Sequence, residues 1–192
     1  MRKPVVILTL LVLLIFSFNV YASTPMKTVE TDVAKVLEIL RDAGASKDAK
    51  VKKIETIADH MFDWEALGKR TLGRGWKKFS GEQQKEFVGL FRNIMKDAWV
   101  DRILAYKDEK VEFDKENMLS AKKAEVQSKV ITKSAEIPIN YRMYKKGDQW
   151  KVYDMVIEGI SLIQNYRTQF RSILAKGTPE DLLKTMREKE AK

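Results

Sequence analysis

Cysteine is absent from all 192 residues, and histidine occurs once, at His60. Without cysteine there is no disulfide to staple the fold, no thiolate nucleophile, no thiolate zinc site and no residue to acylate as a lipoprotein anchor. Burial therefore has to hold the chain together. A single histidine excludes an H-E-x-x-H metal helix, and the chain also lacks a G-x-S-x-G elbow, a glycine-rich phosphate loop and clustered metal ligands. His60 follows Asp59 on an expected helix, which is weak ground for a catalytic base. No internal repeat and no low-complexity linker interrupts the sequence.

One long apolar run is present, VVILTLLVLLIFSF at residues 5–18, preceded by Arg2 and Lys3 and followed by Val20-Tyr21-Ala22. A positive start, an apolar core and small or aliphatic residues at the two inspected positions describe a signal peptide cleaved after Ala22. A retained membrane anchor is the alternative. The run is shorter than the roughly 18–20 residues a bilayer crossing needs, which favours cleavage. The expected organisation is a signal peptide over residues 1–22 and one domain over residues 23–192, exported from the cytoplasm.

Lysine and arginine number 36 against 27 acidic residues, a formal charge of +9 to which Arg2 and Lys3 contribute two. The excess favours anionic partners: lipid headgroups, acidic proteins or nucleic acid. Export makes nucleic acid the least suitable of these, and no nucleic-acid partner is expected. A basic surface that only maintains solubility is the plain alternative.

The periodicity is helical at first. Val29, Val33, Val36, Leu37 and Leu40 form one stripe, and Val51, Ile54, Ile57, Ala58 and Met61 another, with Ser46 as a cap between them. Asp63 can cap a short helix ending near Gly73, and residues 73–76 read as a loop. Ser80 with Gln83 makes a capping box for a long helix from Phe87 to Leu104, too broadly apolar for a narrow seam.

Alternation replaces it after Tyr106. Val111 and Phe113 mark a first strand. Ala124, Val126, Ser128 and Val130 share a face of a second, and Ile137, Ile139, Tyr141 and Met143 a face of a third. A turn at Lys146-Gly147-Asp148 then leads into a fourth, apolar on both faces from Trp150 to Ile157. Ser161 or Asn165 can cap a following helix. Thr178-Pro179-Glu180-Asp181 starts another, with a fraying tail after Met186. The fold class is α+β, a curved four-stranded antiparallel sheet wrapped by helices.

Asp154 and Glu158 stand out on the apolar fourth strand. Four residues apart, they would share a strand face and could work as an acid–base pair. The alternative is that Asp154 accepts structural hydrogen bonds and Glu158 pairs with an arginine. The chain is also rich in large apolar side chains, with four Trp, eight Phe, six Tyr and eight Met. A wide-faced helix over a curved sheet can enclose an apolar pocket for an acyl chain as readily as it fills a core.

Trp76-Lys77-Lys78-Phe79-Ser80 is followed by Gln83, Phe87 and Phe91. Later, Trp150-Lys151-Val152-Tyr153-Asp154 runs into Glu158-Gly159-Ile160-Ser161-Leu162 and Tyr166-Arg167, with Phe62-Asp63 and Leu72-Gly73 upstream. In this order and spacing the residues resemble the MlaC family, periplasmic phospholipid-binding proteins also called toluene-tolerance proteins. The resemblance covers nearly the whole expected mature chain. It implies a nuclear-transport-factor-2-like sheet enclosing an apolar pocket. It implies a carrier, not an enzyme, with bound phospholipid as cargo and no cofactor or metal. The partners implied are an outer-membrane lipoprotein–porin complex and the substrate-binding subunit of an inner-membrane ABC transporter.

Face arithmetic then assigns the lining to Phe91, Met95, Trp99 and Ile103 of the long helix and to Val126, Ile139, Tyr141, Val152 and Val156 of the sheet. Ile160, Leu162 and Tyr166 would close the pocket, and Arg142, Lys145 and Arg167 are the candidate rim charges for a headgroup. A small-molecule enzyme using Asp154 and Glu158, and a basic adaptor without a pocket, are the alternatives.

Overall fold

A computed structural model describes residues 23–106 and 109–190, with the backbone alone at Asp101 and Arg102. The expected signal peptide lies outside the described residues. Among those residues no helix is long and apolar enough to cross a membrane.

Four helices come first, each set by a side-chain cap. Thr24 accepts from Lys27 N to start α1 (Pro25–Arg41), and Ser46 accepts from Ala49 N to start α2 (Lys47–Met61). Asp63 caps α3 (Trp64–Leu72) through Ala66 N at 2.9 Å. The expected loop at residues 73–76 is instead part of a 3₁₀ helix (Gly73–Lys78), entered through Gly73 at φ 55°, ψ −122°. Short, tight helical turns of this kind commonly connect α-helices. Ser80 and Gln83 form the expected capping box, and α4 (Gly81–Ala105) follows.

The sheet is antiparallel, in the order β1 (Lys110–Ser120), β2 (Lys123–Ile131), β3 (Glu136–Lys146), β4 (Gln149–Ile157), β5 (Ile160–Ser161). It has five strands where four were expected. The fifth is only two residues long, too short to leave a periodicity, and it pairs with Val156 and Ile157 after the turn at Glu158-Gly159. β1 continues well past Phe113, because a register shift after Phe113 breaks the alternation that would reveal it. Beside β5, on the same edge of β4, Phe62 bridges to Val152 and Asp63 N donates to the Val152 carbonyl at 3.1 Å. The α2–α3 junction is thus hydrogen-bonded into the sheet edge.

Ser161 caps α5 (Leu162–Leu174), and Thr178 and Asp181 hold the start of α6 (Pro179–Glu190) reciprocally. Helix α6 runs to Glu190 where fraying was expected. Arg187, paired with Glu86 at 2.7 Å and Glu180 at 2.9 Å, ties that last part to α4.

Two apolar clusters hold these layers. The first joins α3, α4, α5 and α6: Phe87 and Phe91 stack at 5.9 Å, Phe91 meets Tyr166 edge-on at 5.1 Å, and Leu182, Leu183 and Met186 close it from α6. The second places Val29 of α1 and Met61 of α2 on Ala124, Val126, Tyr141, Met143 and Val152 of the sheet. Phe62 and Met155 pack against both.

Candidate functional site

A bulge in β4 decides which residues share a face. Met143 lies opposite Val152 and Tyr141 opposite Met155, so one extra residue, Tyr153, is accommodated on β4 between them. On one face of the sheet therefore lie Met143, Tyr141 and Ile139 with Val152, Met155 and Ile157. On the other lie Asn140, Arg142 and Tyr144 with Asp154 and Val156.

The Tyr141 face is unevenly covered. Under α1 and α2 its side chains are fully buried, and burial pushes the Tyr141 phenol up to about 12. Further along the strands, Phe113, Ile139, Met155 and Ile157 are only half-buried. Met155 and Ile157 pack against the helical cluster, as does the half-buried Trp99 of α4. This part of the Tyr141 face is thus a half-buried apolar surface, two of whose side chains, Met155 and Ile157, share the helical cluster with Trp99.

The residues singled out as lining divide among these regions. Phe91, Met95, Leu162 and Tyr166 are buried inside the helical cluster, and Ile103 is half-buried near the end of α4. Val126, Tyr141 and Val152 belong to the sheet cluster, with Ile139 packed against it. Val156 is buried on the opposite face, because the bulge at Tyr153 reverses the alternation after Val152. Ile160 is 64 % exposed. Met155, Ile157 and Phe113, which were not singled out, also lie on the Tyr141 face. Their apolar character was legible, but the bulges that set their face were not.

The expected rim charges also separate. Lys145 shares the Trp150 and Met143 side, whereas Arg142 and Arg167 line a cleft of about 340 Å³ on the other face, with Arg70 of α3, Tyr153 and Gln164. At its floor Asp154, 3 % exposed, is fully committed. Its Oδ2 accepts from Ser161 Oγ at 2.8 Å and Arg142 Nη1 at 3.2 Å, and its Oδ1 accepts from Ile163 N at 3.1 Å. Glu158 is exposed in the turn beyond β4, at φ 50°, and does not share Asp154's strand. The pairing suggested by their spacing is not formed.

A second buried carboxylate, Asp63, lies at the helix–sheet junction. Burial pushes its pKa up, but hydrogen bonds from Lys146 at 2.7 Å, from the Tyr144 hydroxyl and from Ala66 N outweigh that and hold it below the usual carboxylate range. His60 stands at the surface, its Nδ1 3.3 Å from Asp32 Oδ2. Among the described residues no group of three His, Cys, Asp or Glu is placed to hold a metal ion.

A family model described as MlaC protein matches residues 30–188. Among curated proteins, the chain is 26 % identical over 129 residues to the intermembrane phospholipid transport system binding protein MlaC of Haemophilus influenzae, covering 65 % of this chain and 60 % of that protein. The match therefore spans less than two thirds of that relative's length. The chain is 24 % identical over 177 residues to toluene tolerance protein ttg2D of Pseudomonas putida, covering 88 % and 80 % of the two. The solved structure of a phospholipid-binding protein from Ralstonia solanacearum, in complex with a phospholipid, matches with a TM-score of 0.81 at 22 % identity, over 88 % of this chain and 98 % of that one. The last is a likeness of fold, and it agrees with the α+β architecture above. With the family model matching well over half of the chain and spanning the whole sheet, the chain belongs to the MlaC family.

Proposed function

We propose that this protein is a periplasmic phospholipid carrier, exported with residues 1–22 removed and working as a single domain over residues 23–192. The observation that carries the reading is the half-buried apolar surface formed by Phe113, Ile139, Met155 and Ile157, the last two packed against the same helical cluster as Trp99 of α4. Acyl chains lie there in this reading. The names of the Haemophilus and Ralstonia relatives support it, since both describe proteins that bind or transport phospholipid. Cargo passes between an outer-membrane lipoprotein–porin complex and the substrate-binding subunit of an inner-membrane ABC transporter. Neither cofactor nor chemistry on the lipid is needed.

Burying one CH₂ contributes about 0.8 kcal/mol, so two chains of about fifteen carbons gain on the order of 20 kcal/mol gross. Unaided release into water is then too slow for a shuttle, and the carrier opens only when docked on a partner. An enzyme using Asp154 and Glu158 is disfavoured by their geometry: one carboxylate is saturated with hydrogen bonds and the other is at the surface. Mass spectrometry of an organic extract of the natively purified protein tests the carrier reading. Stoichiometric phospholipid is the expected result. A lipid-free protein would instead favour a basic adaptor without cargo.

A further inference from the structure

The cleft on the face opposite the proposed acyl surface gathers positive charge in a fixed arrangement. Arg142 is matched there by Glu125 at 3.2 Å and Asp154 at 3.2 Å. Among the described residues, neither Arg70 nor Arg167 has an ion-pair partner. Arg70 lies with its guanidinium carbon 4.1 Å from the centroid of the Tyr153 ring, a contact that holds a cation without neutralising it. Arg167 directs Nε and Nη2 onto the Arg70 carbonyl at 3.1 and 2.5 Å and Nη1 toward Gln164 Oε1 at 3.4 Å. Two uncompensated guanidinium groups are thus held beside a third in one cleft of about 340 Å³.

We propose that this cleft is a phosphate-binding site. Two cations without ion-pair partners in one cleft repel one another, and an anion seated there relieves the repulsion. Their side chains are already fixed by Tyr153 and by the Arg70 carbonyl, so little rotamer freedom is lost on binding. The volume stands at the low end of the roughly 300–1,000 Å³ typical of small-ligand pockets. The donor geometry selects among anions. One guanidinium fork satisfies a planar carboxylate by itself, whereas several guanidinium groups arriving from different elements suit a tetrahedral phosphate with oxygens in several directions. The negative charge of Asp154 is offset by Arg142, with which it pairs at 3.2 Å, so Arg70 and Arg167 remain as the excess positive charge of the cleft.

The site lies on the Arg142 face, and the proposed acyl surface on the Tyr141 face. On the carrier reading, the phosphate it takes is therefore not the headgroup of the carried lipid, whereas phosphate binding itself stands on the arginine geometry alone. Its source is either the phosphodiester of a lipid headgroup in a membrane surface or free phosphate.

Titration of the purified protein with inorganic phosphate, by calorimetry, tests it, alongside Arg70→Gln and Arg74→Gln. Arg74 is an exposed neighbour on the 3₁₀ helix that does not line the cleft. Saturable binding is expected, weakened about tenfold or more by Arg70→Gln, as for loss of one charge-assisted contact, and left unchanged by Arg74→Gln. Thermal melting checks that both variants fold. Competition then separates the sources. Displacement by glycerophosphoglycerol, a headgroup without acyl chains, identifies the lipid diester, and failure to displace identifies free phosphate. The proposal is overturned by absence of saturable binding, by equal weakening in both variants, or by acetate displacing phosphate at equal concentration. The last result would mark the cleft as a seat for a protein carboxylate.

Discussion

Asp154 accepts a hydrogen bond from the Ser161 hydroxyl at 2.8 Å while that same oxygen accepts from Gln164 N at 3.1 Å to cap α5. One strand carboxylate and one helix cap are therefore a single unit. Replacing Asp154 with alanine leaves Arg142 with Glu125 alone and leaves Ile163 N unpaired. A loss of about 2–3 kcal/mol is expected, the cost of a buried donor left without its partner. Ser161→Ala should cost only about 1 kcal/mol, the ordinary value of a cap. Urea unfolding of both variants checks the order. Equal losses would mean that Asp154 acts only through the cap.

The Asp63 carboxylate gives the fold a sensitivity to acid. Its pKa is depressed in the folded state, so its contribution is present above the unfolded value of about 3.9 and lost as pH falls through the folded value. At pH 7, Asp63→Asn should destabilise by about 1–3 kcal/mol. The gap between variant and parent should then close below about pH 4. Denaturant midpoints measured across that range test the sign. A gap that persists unchanged at low pH would locate the effect in shape and not in charge.

The turn after β4 and the entry to the 3₁₀ helix hold opposite kinds of strain. Glu158 adopts φ 50°, a left-handed conformation costing a side-chain-bearing residue about 1–2 kcal/mol. Glu158→Gly should consequently raise stability, by up to about 1 kcal/mol. Gly73 stands at φ 55° and ψ −122°, outside the regions side chains tolerate, and Gly73→Ala should cost about 1–3 kcal/mol. Thermal melts of the two variants should move in opposite directions.

On the apolar surface, Ile139→Glu places a charge where acyl chains are proposed to lie, at a side chain already half in contact with water. Lipid recovered per protein should fall about tenfold or more, the scale set by one unpaired buried charge. Folding should survive, by circular dichroism. The matching change at exposed Leu119, 60 % accessible on the β1–β2 hairpin, should leave lipid content unaltered. Equal losses at both positions would argue against a localised binding surface.

Much of this architecture is written in local chemistry. Ser46, Asp63, Ser80 and Ser161 each begin a helix where a polar cap precedes an apolar stripe, and Val126 and Tyr141 fall on the face their alternation requires. What escapes is whatever depends on partners distant in sequence. The bulge at Tyr153 shows only in the pairing of β4 with β3, and no pattern within β4 announces it. Val156 was placed on the wrong face for that reason, and Met155 was overlooked. The same limit applies to Arg70, an ordinary helical residue until the fold brings Tyr153 and Arg167 to it.

Phe62 and Met155 touch both apolar clusters, and Phe62 is also bridged to Val152 at the sheet edge. Neither cluster can melt while the other stays intact, because the side chains at the boundary are common property. Unfolding should therefore be one cooperative event, in a chain without cysteine that needs no oxidant to refold. For a carrier this bears on how cargo enters. Prising the two clusters apart would cost the whole stability of the domain, whereas the half-buried end of the Tyr141 face can widen while the shared seam holds.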